Sequence, residues 1–330
     1  MGEPPFCGTL LYDPEQLKTY FAKDRDRQVA HFVDSLARAN EYMADNPPDT
    51  ITPRVGKKTG LRSALQYYAD EMFLTLYAFV SLDLVDRAAG GVRAQGPYSR
   101  LLDLPFGAAR PKISGPKLLL EQPVPAPRLY VQSLLEQYRD HEETCHPVWY
   151  RRRLGKGNSA LEGKTHTDAL LACDGDWDRA SGTFVMFEAK FLSDISASTT
   201  YATDRDQLTR NLDAGLEYVG YDLDRFWYVF VTPECFKDEP ESRFYGYKLR
   251  DYMDPESGGQ ALSRALPHLA DRELVDFAEL SRHIGWVTWQ DVCRLLATSP
   301  AFTTPAFPRA EFEQFFRDRC LWPEDETCRE

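Results

Sequence analysis

Two carboxylates and one ammonium stand in this sequence at a spacing that suits chemistry on a phosphate. Asp168 lies near the start of an apolar run, Thr167-Asp-Ala-Leu-Leu, and Glu188 and Lys190 lie near the end of the next, Phe187-Glu-Ala-Lys. If both runs are strands, Glu188 and Lys190 share a face, because side chains alternate with a period of two. Pairing of the two strands as a hairpin sets Asp168 across from Glu188. Two carboxylates so placed form a hard-oxygen site suited to Mg2+ or Mn2+. The nearby ammonium would orient an attacking water or stabilise charge building on a phosphate. The bland alternative is a surface hairpin with an ordinary Glu–Lys ion pair, worth about 0–1 kcal/mol. Against it, Val185, Met186, Phe187, Phe191 and Leu192 make the second strand read as buried, where charges need a reason.

The elements around these residues follow from periodicity. Residues 165–173 and 183–192 are predicted strands, joined by the turn-rich stretch 174–182. A helix is predicted over 204–219, with Leu208, Leu212, Leu216 and Val219 on one face, and Phe226 to Thr232 reads as a strand buried on both faces. Upstream, a helix is expected from 129 to 143 and a strand from 148 to 154, giving the order helix, three strands, helix, strand. The N-terminal part reads as helices over 13–44 and 61–83, followed by an irregular Gly- and Pro-rich connection over 88–128. The C-terminal part reads as helices over 272–284 and from Thr288, the latter opened by a capping box with Asp291.

Asp168, then Glu188-Ala189-Lys190 on the following strand, resembles the PD-(D/E)XK nuclease superfamily, whose core runs helix-strand-strand-strand-helix-strand. The next helix carries Asp206-Gln207-Leu-Thr-Arg210-Asn211, similar to the Gln-bearing helix of the RecB-like and restriction-enzyme-like branches. Thr167 stands where the family motif has Pro, and Asn211 where a Tyr is often found. The resemblance covers roughly residues 128 to 235. It implies that Asp168 and Glu188 bind the metal together with the main-chain carbonyl of Ala189. Lys190 would position the water or the scissile phosphate, with Gln207, and Arg210 one turn on, completing the site. Many members add a Glu from the first core helix; Glu136 is the candidate, with Glu142, Glu143 and Glu162 as rivals.

The fold expected on this basis is α/β, a restriction-endonuclease-like mixed-sheet core with helical N- and C-terminal additions. The domain limits are a mainly helical region at 1–127, the nuclease core at 128–250 and a helical region at 251–330. The expected function is hydrolysis of phosphodiester bonds with Mg2+ or Mn2+, with DNA as the nucleic-acid partner and phage defence or DNA repair as settings. The alternative is a catalytically inactive, nucleic-acid-binding or scaffolding protein on the same fold. Arg151, Arg152 and Arg153 with Lys156 form the clearest basic cluster and read either as a phosphate-backbone contact, together with Arg210, or as a solvated strand edge. A net charge of −12 points away from a protein that coats nucleic acid through overall charge but leaves room for a local basic groove. Asp174, Asp176 and Asp178 mimic a calcium loop, but Arg179 and Val185 occupy its required Gly and Glu positions. Seven scattered cysteines without a CxxC pair, no signal-peptide pattern and no long apolar run point to a reduced cytoplasmic protein with free thiols and no membrane span. Homodimerisation or a protein partner is left open.

Overall fold

The computed structural model describes residues 10–45, 67, 70–88, 96–140, 162–198, 205–305 and 307–323. It is a mixed α/β structure. The N-terminal part holds α1 (Pro14–Lys18), α2 (Arg25–Asp45), α3 (Glu71–Ala88) and α4 (Pro97–Phe106). One helix was expected over 13–44, but the chain breaks between α1 and α2, where Asp24 takes a left-handed φ of 51°. Helix α3 is buried without a gap from Phe73 to Asp83, as its all-round apolar sequence requires. No helix among the described residues is long and apolar enough to cross a membrane.

The sheet has five strands in chain order: β1 (Lys117–Val124), β2 (Thr165–Asp176), β3 (Ser181–Ala189), β4 (Phe226–Thr232) and β5 (Ile284–Thr288). The first three form an antiparallel meander, while β3, β4 and β5 run parallel. Parallel neighbours need crossovers. Helix α6 (Gln207–Tyr218) carries the chain from β3 to β4. Between β4 and β5 run α7 (Glu234–Asp238), α8 (Phe244–Met253), α9 (Gly258–Ala265), α10 (Pro267–Ala270) and α11 (Phe277–Arg282). Helices α12 (Trp289–Ala297) and α13 (Arg309–Arg317) follow β5. Each face of the sheet has its own apolar cluster. Alternate strand residues such as Phe187, Val229 and Val287 pack with α1–α4, α12 and α13. Met186, Tyr228 and Ile284 pack with α6 and α8–α11. Strands covered on both sides are expected to be apolar throughout, and every residue of β4 is buried.

Further expectations are corrected. The stretch 88–128 contains β1, which pairs with β2 from Lys117↔Ala172 to Val124↔Thr165. Its Pro123 hid the pattern, yet Pro is tolerated on an edge strand, where one side of the ladder is free. The helix expected at 129–143 is α5 (Arg128–Asp140), but it lies between β1 and β2 and does not precede the strands. The helix in front of β1, β2 and β3 that packs on them is α3. The helix expected at 272–284 is only α11, and the stretch between it and the helix from Thr288 is β5. Gly285 admits close contact there, since a Cβ would lie 2.7 Å from Phe106 and 2.8 Å from Pro105. The sheet thus takes one strand from 1–127 and one from 251–330. The capping box is present, Thr288 Oγ1 accepting from Asp291 N at 3.0 Å and Asp291 returning the bond at 2.9 Å. The strand expected at 148–154 lies outside the described residues. Cys173, Cys235 and Cys293 are free, but Cys320 is disulfide-bonded, against the expectation of free thiols throughout.

Candidate active site

The sheet register sets three carboxylates in one row. Ala169 pairs with Phe187 across β2 and β3, which puts Asp168 opposite Glu188. Leu120 pairs with Ala169 and Gln122 with Thr167, which puts Glu121 of β1 opposite Asp168. Glu121 itself is skipped by the ladder and takes a φ of 48°, a left-handed conformation that is strained for a non-glycine residue. The hydroxyl of Thr167 donates to the carbonyl of Phe187 at 3.0 Å, tying β2 to β3 beside the row.

Glu188 is buried and both its oxygens are engaged. Lys190 Nζ donates to Oε1 at 2.7 Å and Gln207 Nε2 to the same oxygen at 2.6 Å, while Asn211 Nδ2 donates to Oε2 at 2.8 Å. Gln207 and Asn211 are four apart and so lie on one face of α6. Asp206 caps the helix, its carboxylate accepting from Thr209 N at 2.8 Å. Asn211 is further fixed by the hydroxyl of Thr165, 2.7 Å from Oδ1. Asp168 Oδ2 accepts from Ala189 N at 2.7 Å, whereas its Oδ1 has no partner among the described residues. The Lys190 ammonium lies 3.1 Å from the carbonyl of Ala189 and 3.8 Å from Glu71 Oε2. The other oxygen of Glu71 accepts from Phe191 N at 2.9 Å and Ser193 Oγ at 2.5 Å. Trp289 Nε1 donates to the carbonyl of Lys190 at 2.9 Å. The lysine loop is therefore held from α3 on one side and α12 on the other.

The electrostatics follow from four acids around one base. Burial, then the charge of Glu188, pushes Asp168 well above the usual carboxylate range. Burial likewise raises Glu188, with Lys190 opposing it. Burial pushes Glu121 up to about 7, helped by Glu188 and Asp70. Burial alone would lower Lys190, but Glu188, Asp168 and Glu71 hold it above its ordinary value and fully charged.

Of the residues singled out from sequence, the structure brings together Asp168, Glu188, Ala189, Lys190 and Gln207. Glu136 is not among them: it is half exposed on α5, where it accepts from Gln132 at 2.8 Å and lies 3.8 Å from Arg272. The helix that carries a glutamate to the lysine is α3, and the residue is Glu71. Arg210 is turned to the segment before β2, with Glu162 at 2.6 Å and the carbonyls of Gly163 and Lys164 at 2.8 and 3.0 Å. Arg151, Arg152, Arg153, Lys156, Glu142 and Glu143 lie outside the described residues. Glu71, Glu121 and Asn211 were missed. Asp70-Glu71 directly before the long apolar helix was the available signal for the first of them.

Among the described residues no three His, Cys, Asp or Glu side chains form a ready-made metal-binding group. A cation such as Mg2+ does not need one, since it keeps several waters and uses one or two carboxylates. The unpartnered oxygen of Asp168, the adjacent Glu188 and the acidic excess around them fit such an ion in donor chemistry and in charge. Comparison of the chain with protein-family models, with curated proteins and with solved structures gave no match in any of the three.

Proposed function

We propose that this chain is a metal-dependent nuclease that hydrolyses phosphodiester bonds, with DNA as its substrate, built on a restriction-endonuclease-like PD-(D/E)XK core. One observation carries the reading: Asp168 and Glu188 stand side by side on neighbouring strands, with Lys190 Nζ 2.7 Å and Gln207 Nε2 2.6 Å from Glu188. With α4 before β1 and α5 between β1 and β2 set aside as insertions, α3, β1, β2, β3, α6 and β4 follow the helix-strand-strand-strand-helix-strand order that the resemblance implies. Asp168, Glu188 and the Ala189 carbonyl would hold Mg2+ or Mn2+, which lowers the pKa of a bound water and offsets phosphate charge. The chain's own groups do the rest. Lys190 presents a permanent positive charge to the attacking water or the scissile phosphate. Gln207 and Asn211 hold the Glu188 carboxylate in one orientation, and Glu71 fixes the loop that carries the lysine.

A second reading is a binding protein on the same fold that has lost catalysis. One observation favours it: both oxygens of Glu188 are already satisfied by three donors, so the cluster is closed on itself. The cytoplasm is the proposed compartment, and the paired Cys320 is the feature that sits poorly with reducing surroundings.

Supercoiled plasmid and labelled single strands, incubated with Mg2+, Mn2+ or EDTA, separate the two readings. The nuclease cuts only with metal, and Glu188→Ala and Lys190→Ala abolish cutting in proteins that keep the parental circular dichroism. Retained cleavage in those variants would place the chemistry elsewhere. Nucleic-acid binding without cleavage in the parent would establish the second reading.

A further inference from the structure

Two of the three groups proposed to hold a metal ion are already held by the Lys190 ammonium. Its Nζ lies 2.7 Å from Glu188 Oε1 and 3.1 Å from the carbonyl of Ala189. Those oxygens therefore converge on one point, and a cation stands there. Gln207 Nε2 donates to the same Oε1 at 2.6 Å, so both lone-pair directions of that oxygen are used. The other oxygen of Glu188 is turned to Asn211 on α6. An ammonium and a divalent ion repel each other, and the ion needs oxygen ligands of its own. For Glu188 Oε1 and the Ala189 carbonyl to face an ion, Lys190 must let them go.

Lys190 is buried, and a buried ammonium cannot leave one carboxylate without another to receive it, because an unpaired interior charge is costly. Glu71 offers the second place. Its Oε2 lies 3.8 Å from Nζ, just beyond hydrogen-bonding distance, and has no hydrogen bond among the described residues. Its Oε1 is fixed by Phe191 N at 2.9 Å and by the hydroxyl of Ser193, so the carboxylate cannot turn away. The missing ~1 Å is within reach of a flexible four-carbon stem, with no movement of the backbone. Trp289 meanwhile holds that backbone by the Lys190 carbonyl. Charge permits the change as well. The ammonium stands among the carboxylates of Glu71, Glu121, Asp168 and Glu188, whose combined charge a divalent ion and one lysine do not exceed.

We propose that Lys190 is a resident cation that a divalent ion displaces, and that Glu71 is the positioning residue that receives it. This rests on the metal site of the reading above and adds to it a rule for when the lysine moves. Lys190 exchanges a charge-assisted bond to Glu188 for one to Glu71, so the swap leaves no buried charge unpaired. The closure of Glu188 on three donors is then a resting arrangement, and the position of the lysine reports whether the ion is bound.

Mn2+ binding by the full chain, followed by electron paramagnetic resonance, tests this without cleavage as the readout. Glu71→Gln keeps an oxygen for Phe191 N and Ser193 and removes the charge, while Lys190→Met keeps the stem and removes the ammonium. In the parent, Glu71→Gln should weaken Mn2+ binding by roughly tenfold. In the Lys190→Met background the same change should matter by less than about twofold, because no ammonium is left to receive. Lys190→Met alone should bind Mn2+ more tightly than the parent. An equal loss in both backgrounds, or weaker binding in Lys190→Met, would overturn the proposal and leave the nuclease reading to its cleavage assay. Absence of Mn2+ binding in the parent and in Lys190→Met alike would overturn the exchange and the metal site together. If Lys190→Met does not fold, a crystal structure of the parent grown with Mn2+ decides the matter. An ammonium bonded to Glu71 is expected there, and one still on Glu188 Oε1 beside the ion would sink the idea.

Discussion

Asp168 shows how a site can be costly to the protein that carries it. Its charge is opposed by burial and by Glu188, and Glu121 stands next in the row. Asp168→Asn keeps the acceptor for Ala189 N and removes one of the repelling charges. The metal-free variant should therefore melt higher than the parent, on the order of 2 °C, while losing cleavage and the stabilisation that a bound ion confers. Melting curves with and without Mg2+ check both halves, and a lower metal-free melting point would mean that the carboxylate supports the fold. Glu121 gives a pH-dependent counterpart. Its proton is held up to about 7 in the folded chain but is released near the ordinary 4.5 in the unfolded one. Between those values the folded state binds the extra proton, so stability falls as pH rises and the loss is complete above about 7. Glu121→Gln should then stabilise the protein at pH 8 and make little difference at pH 4. An equal effect at both would show that burial of the charge is not what the substitution relieves. The residues legible in the sequence were those whose positions depend on local periodicity: Asp168, Glu188, Lys190 and Gln207. Glu121 reaches the cluster by tertiary folding, which no local pattern announces, and the only local sign of Glu71 was the acidic pair ahead of its apolar helix.

At the scale of elements, legibility followed how cleanly a segment's own chemistry matched its state. β4 and α6 read correctly because an apolar run and a single apolar stripe have few other solutions. β1 and β5 did not, because one carries Pro123 and the other Gly285, both of which signal turns in isolation. Losing β1 shifted the assignment of the core helix from α3 to α5, and with it the glutamate from Glu71 to Glu136. One omitted strand thus cost a site residue. Pro105 and Phe106 of α4 press on Gly285, so Gly285→Ala should overpack that contact and destabilise by about 1–3 kcal/mol. Urea denaturation measures it, and a neutral result would mean that α4 moves aside freely.

At the scale of the whole molecule, α6 is the joint between the site and the C-terminal helices. Its Asp213 is fully buried between Arg205, at 2.7 Å, and His268 of α10, at 3.1 Å. The Arg205 guanidinium also lies 3.5 Å over the ring of Tyr130 on α5. Removing one partner of a buried pair leaves the other charge uncompensated. Asp213→Ala should cost about 3–5 kcal/mol, far more than loss of the exposed Arg282–Glu279 pair, whose contribution is at most about 1 kcal/mol. Chemical denaturation of the two variants side by side tests the contrast. The sequence showed none of this network, since its members come from three separate segments.

The bond from Trp289 to the carbonyl of Lys190 spans 99 residues. A chain made at about 5–20 residues per second emerges with its lysine loop about 5–20 seconds before the indole that clamps it. Gln207 and Asn211 arrive early in that interval and Trp289 closes it. A nascent chain therefore carries the acids and the lysine without their final restraint until Trp289 has emerged, and the nuclease proposed above would be fully assembled only then.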